Sequence, residues 1–96
     1  MKIQAEVIYI PTEKGGRKGP MADGYRPQFY YDGNDWDANQ TFPYTKIVYP
    51  GDTVTAEFTF LHPTAHNEKI KPGLIFLLRE GYKVVGYGKV KLILEG

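Results

Sequence analysis

Apolar and polar residues alternate along much of this chain with the period of two that marks a half-buried β-strand. The clearest case follows Pro50-Gly51-Asp52, a turn tripeptide. There Val54, Ala56, Phe58 and Phe60 alternate with Thr53, Thr55, Glu57 and Thr59, and His62-Pro63 closes the run. Residues 3–10 alternate more loosely, with Ile3, Ala5, Val7 and Tyr9 on one face and Pro11 as the stop. Residues 11–24, rich in Gly and charge, form a loop too long for a tight hairpin. Residues 25–31 read as a strand with Pro27 inside it. Proline lacks a ladder donor, so an edge position or a bulge is expected there. Residues 32–41 read as a polar loop around Trp36, and residues 44–49 as the next strand. The apolar run at 74–78 predicts a strand buried on both faces. Gly81 marks a turn, and residues 84–94 close the pattern with Val90, Leu92 and Leu94 in step. Gly86 and Gly88 within that last strand predict a bulge or a close approach of backbone.

About six strands and no helix signal result, with turn residues recurring roughly every ten positions. The chain has 11 Gly and 7 Pro, and β-branched and aromatic residues fill the stretches between them. An all-β, antiparallel barrel is the expected fold, because closure removes the edges that an open sheet exposes. The 96 residues suit one domain, 1–96, without internal repeat, low-complexity tract or linker.

Composition narrows the chemistry. With no cysteine, disulfides and zinc-thiolate sites are excluded, which suits a reducing compartment. Glu6 interrupts what would have to be a signal peptide's apolar core, and no stretch approaches the roughly 18 apolar residues of a membrane span. A cytoplasmic protein is expected, with no membrane partner. The net charge of +1 gives little long-range steering toward nucleic acid, so any RNA contact depends on local clusters. Basic residues group at Lys14-Gly15-Gly16-Arg17-Lys18, and Asp32, Asp35 and Asp37 form an acidic counterweight.

No enzyme activity is expected. The chain contains no serine, no cysteine nucleophile and no Gly-x-x-x-x-Gly-Lys-Ser/Thr loop, so nucleotide hydrolysis and a nucleotide cofactor are excluded. His62 and His66 have a spacing that joins two metal ligands on a helix, but Pro63 removes the helix and no third ligand is near. The glutamates are scattered and make no acid–base pair. The 8 tyrosines, 5 phenylalanines and one tryptophan exceed what so small a core needs. Partly exposed aromatics fit an interface, or bases stacked beside Arg and Lys.

Three ordered stretches carry a family resemblance. The first runs from Ala5-Glu6-Val7 through Gly15-Gly16-Arg17 to Gly24-Tyr25-Arg26-Pro27-Gln28-Phe29-Tyr30. The second is Pro50-Gly51-Asp52 with the alternating strand ending in Leu61-His62-Pro63. The third is residues 76–81 followed by Val85-Gly86-Tyr87-Gly88-Lys89-Val90. Together they resemble the third, C-terminal barrel domain of elongation factor Tu over nearly the whole chain, read as that barrel standing alone.

The resemblance implies a six-stranded antiparallel Greek-key barrel that is not the GTPase. In the family this barrel packs on the nucleotide domain and grips the tRNA backbone by shape and charge. Carried over residue by residue, RNA contacts fall on Arg17, Lys18 (a histidine in the family), Gln28, His62 and Gly81. Arg79-Glu80, just before the turn, is expected to pair charges at a barrel rim. Other positions depart. Where the family continues Arg-Thr-Thr-Asp-Val-Thr-Gly after the Phe-Tyr-Tyr stretch, this chain reads Asp32-Gly33-Asn34-Asp35-Trp36-Asp37-Ala38. Carboxylates there oppose phosphates. Ile75 and Leu77 replace an arginine and an alanine on the strand that meets the nucleotide domain, and Tyr82-Lys83-Val84 replaces Gly-Arg-Thr.

The implied function is a non-catalytic binding module related to elongation factor Tu. Its partner would be tRNA, weakly held, or a translation-associated protein met through Trp36, Tyr82 and Tyr87. The alternative is a mimic of elongation factor Tu that occupies or neutralises something targeting it.

Overall fold

In the computed structural model, which describes residues 1–61, 66 and 68–96, the alternation at the N-terminus becomes β1 (Lys2–Tyr9). Ile3, Ala5, Val7 and Tyr9 all point into the core. Five strands follow: β2 (Gln28–Tyr31), β3 (Asn34–Thr41), β4 (Thr53–Phe60), β5 (Ile75–Glu80) and β6 (Lys83–Glu95). Every pairing is antiparallel, and the strands close in the order β1-β4-β3-β2-β5-β6. Consecutive strands β2, β3 and β4 run side by side and β1 returns beside β4, which is the Greek-key arrangement. Helical character among the described residues is limited to 3-10 geometry, a turn at Thr12–Lys14 and at His66.

Aromatic side chains fill the barrel. Phe29 stacks on Phe76 with ring centroids 4.1 Å apart and meets Phe58 and Phe60 edge-on at 5.2 and 4.9 Å. Such offset and T-shaped contacts suit the ring quadrupoles and add to the area buried. The glycines inside β6 make room for this packing. A Cβ on Gly88 would stand 2.5 Å from Phe76 Cζ and 2.7 Å from the Glu6 carbonyl oxygen, so the predicted close approach is real. The predicted bulge is there too, with Leu78 opposite Gly86 and Arg79 opposite Val84.

Several expectations need correction. Residues 32–41 are not a loop: they hold β3, whose burial alternates so that Ala38 and Gln40 face inward. The Asp32-Gly33 dipeptide turns β2 directly into β3, with φ of 52° and 77°. Two successive positive φ values are what a tight type I′ hairpin needs. Residues 44–49 are not a strand. Only Val48 forms a β-bridge, exchanging two 2.8 Å backbone hydrogen bonds with Met21, and Tyr44, Ile47 and Tyr49 are exposed. Pro27 does not interrupt a strand, because β2 begins one residue later and Tyr25 makes an isolated bridge to Gln40. β5 is not buried on both faces, since Phe76 and Leu78 point inward while Ile75 is exposed. Near the end of β6, Val90 is buried but Leu92 and Leu94 are exposed, because the register against β1 slips there twice.

Candidate functional site

The paired glycines at 15 and 16 are structural before they are anything else. Gly15 adopts φ 95° to end the 3-10 turn, and Gly16 packs its Cα onto the preceding chain. A Cβ there would lie 1.8 Å from the Ile10 carbonyl oxygen, which no side chain tolerates. Gly16 instead donates its N–H to the Pro11 oxygen at 2.9 Å. This tight crossing launches Arg17 toward the end of β5. Its guanidinium lies 4.9 Å over the Tyr25 ring and 3.5 Å from Glu80 Oε2. Tyr25 in turn donates its hydroxyl to the same Glu80 oxygen at 2.5 Å. Burial first, and then the Glu80 carboxylate, push the Tyr25 hydroxyl well above its ordinary value.

The neighbouring outer face is built by register. Gln28 sits opposite Asp37 on β3 and opposite Arg79 on β5, and Tyr30 sits opposite Asp35. Gln28 donates Nε2 to Asp37 Oδ1 at 3.1 Å. Arg79 lays its guanidinium 4.3 Å over the Tyr30 ring and donates to both oxygens of Asp35, at 3.1 and 2.5 Å. A planar guanidinium held bidentate by a carboxylate is the strong form of such a pair. Those hydrogen bonds push the Arg79 guanidinium further up. The rim charges are therefore paired as expected in kind, but not with each other: Arg79 takes Asp35, and Glu80 takes Arg17.

Comparison with known families decides what this barrel is: the family model of the elongation factor Tu C-terminal domain matches residues 1–94. The chain belongs to that family. Seen as an elongation factor Tu C-terminal domain, it keeps the family's barrel and carries three carboxylates in the stretch 32–38, of which Asp32 and Asp37 depart from the pattern and Asp35 keeps it. Asp35 and Asp37 close on Arg79 and Gln28 of the same face. The third, Asp32, stands in the β2–β3 turn, 3.4 Å from Lys69 Nζ.

The sequence-predicted residues separate accordingly. Arg17 and Gln28 come to the same end of the barrel, on either side of the Arg79-Glu80 pair. Lys18 follows Arg17 and is exposed. Gly81 is the first of two turn residues joining β5 to β6, with φ 62°, and Tyr82 beside it is 95% exposed. His62 lies outside the described residues. Trp36 is half-buried, with its ring 4.5 Å from that of His66 and 6.5 Å from Tyr31, so most of its contacts are internal. Tyr87 lies on β6 opposite Leu77 of β5, in a shallow groove of about 200 Å³ with Ile8, Ile75 and Lys89. Sequence reasoning missed Tyr30 and the coupling of Asp35 and Asp37 to their own chain. The signal was the Asp32-Gly33 hairpin, which fixes the register that brings them together. No group of three or more His, Cys, Asp or Glu among the described residues could hold a metal ion.

Proposed function

We propose that this elongation factor Tu-type barrel is a non-catalytic module whose β3-β2-β5 face and Tyr82 turn meet a translation-associated protein. One observation carries the reading: the donors corresponding to the family's RNA grip are already engaged within the chain, Gln28 by Asp37 and Arg17 by Glu80. Exposed pairs of this kind are individually worth only about 0–1 kcal/mol, so a phosphate could displace them. The displaced carboxylates would stay beside it, however. Arg17 and Arg79 are each held by a carboxylate, Glu80 and Asp35, and Asp37 holds Gln28, which weakens the counterion release these positions could drive. A neutral, hydrogen-bonded surface with stacked Arg and Tyr and a fully exposed tyrosine beside it suits a protein partner.

The test is a pull-down from native lysate, analysed separately for RNA and protein. Protein should be retained after ribonuclease treatment and lost with Tyr82→Ser, a change at a position too exposed to matter for folding. Retention of RNA alone would refute the reading. The tRNA reading keeps one supporting observation, the exposed Lys18. Filter binding to an elongator tRNA at low salt, comparing the parent with Asp35→Asn/Asp37→Asn, measures what that face retains once its carboxylates are neutralised.

A further inference from the structure

We propose that β6 carries a self-complementary edge, Lys91 to Glu95, through which two copies of this chain pair as a symmetric antiparallel dimer. β5 covers β6 only as far as Val90, which accepts from Gly73 N–H at 2.8 Å and donates to the Leu74 oxygen at 2.9 Å. Beyond it, β6 continues to Glu95 with β1 on one side and no described strand on the other. The register against β1 slips so that Lys91 and Leu94 have no counterpart on it. Such bulges bend and twist a strand. The side chains are exposed: Leu92 at 52%, Leu94 at 41% and Ile93 at 37%. An edge of unpaired backbone flanked by exposed leucines is one that natural sheets ordinarily blunt.

The sequence Lys91-Leu92-Ile93-Leu94-Glu95 reads as its own partner. Its midpoint is Ile93, and antiparallel pairing about that midpoint sets Ile93 against Ile93 and Leu92 against Leu94. Lys91 then faces Glu95 twice, once at each end. Moving the centre to Lys91 or to Glu95 would set like charges opposite each other, which is unfavourable across strands. Moving it to Leu92 would call on Val90, whose edge β5 already occupies, and moving it to Leu94 would set Ile93 against Glu95 and leave Lys91 without a carboxylate. The charges that would deter a foreign strand therefore select this register of a second copy. The contact is isologous and closes at two chains. Five residues a side cover much less than the roughly 1,200–2,000 Å² of a standard stable interface, so the dimer is weak and concentration-dependent.

Sedimentation equilibrium tests the charge pattern. The parent should dimerise in the upper micromolar range. Lys91→Glu and Glu95→Lys should each weaken that by about fivefold or more, since each sets like charges opposite twice. Mixing the two single variants should restore dimer as a heterodimer, and combining both changes in one chain should restore the homodimer. The chain has no cysteine, so Ile93→Cys reports register directly. It should oxidise to a covalent dimer faster than Lys83→Cys, which sits at the far end of β6. A monomer throughout the concentration range, dimerisation indifferent to the charge swaps, or equal cross-linking of the two cysteine variants would each overturn the proposal.

Discussion

Single residues set hard limits in this barrel. Gly16 is the sharpest case, because any side chain would enter the Ile10 carbonyl oxygen. Gly16→Ala should cost on the order of 3 kcal/mol, visible as a lower urea midpoint, since backbone rather than a flexible side chain must move. Tyr9 makes a different demand. It is buried, its hydroxyl accepts from Gln40 Nε2 at 2.6 Å, and burial pushes that hydroxyl well above its ordinary value of 10.0. Tyr25 is raised in the same direction. Both groups hold their protons more tightly folded than unfolded. Their stabilisation is thus fully present below the unfolded value of 10.0 and is lost as pH rises beyond it. Thermal melts from about pH 8 to pH 11 should show that alkaline fall. Tyr9→Phe should make it shallower, while costing about 1–3 kcal/mol at neutral pH because Gln40 loses its buried partner.

At the level of elements, the β2–β3 hairpin shows what the sequence revealed and what it hid. β4, with strict alternation, and β1, with looser alternation, were legible because their inward positions are almost all Ile, Val, Ala and Phe. β3 (Asn34–Thr41) was not, because its residues are mostly poor strand formers. It is a strand because β2 and β4 hydrogen-bond it on both sides, and because Gln40 finds Tyr9 inside the core. Residues 44–49 misled in the opposite way. They have strand-forming side chains but only Met21 to pair with, so their aromatics stay outside. The Asp32-Gly33 turn makes the hairpin testable. Gly33→Ala, at φ 77°, should cost about 1–2 kcal/mol in a denaturant titration. Asp32→Asn should stay within about 0.5 kcal/mol, because asparagine accepts the same conformation and the exposed Lys69 pair is worth little.

For the whole molecule, far-UV circular dichroism should show β structure with helix well below about a quarter of the residues. Titration calorimetry with GTP and magnesium should give no heat from a defined site, because the chain lacks a phosphate-binding loop. Fold and family were legible from ordered motifs spread over the chain, and the family match at 1–94 agrees with them. The site was legible only as a set of positions. Which donors are already engaged depends on a register that a misread strand concealed, and Asp37 could be seen opposing phosphate but not holding Gln28.

β1 lies between β4 and β6, and its nearest cross-strand partner in sequence is Thr53, opposite Ile8. A ribosome making this chain releases its first strand long before either neighbour exists. That strand waits, apolar on one face, until β4 is out, and it gains its second neighbour only with the final residues of β6. Contacts this distant in sequence slow folding to the millisecond-to-second range typical of small barrels. The newborn chain therefore passes through a stage with an unpaired, sticky first strand, when a chaperone able to hold a short extended segment would help it most.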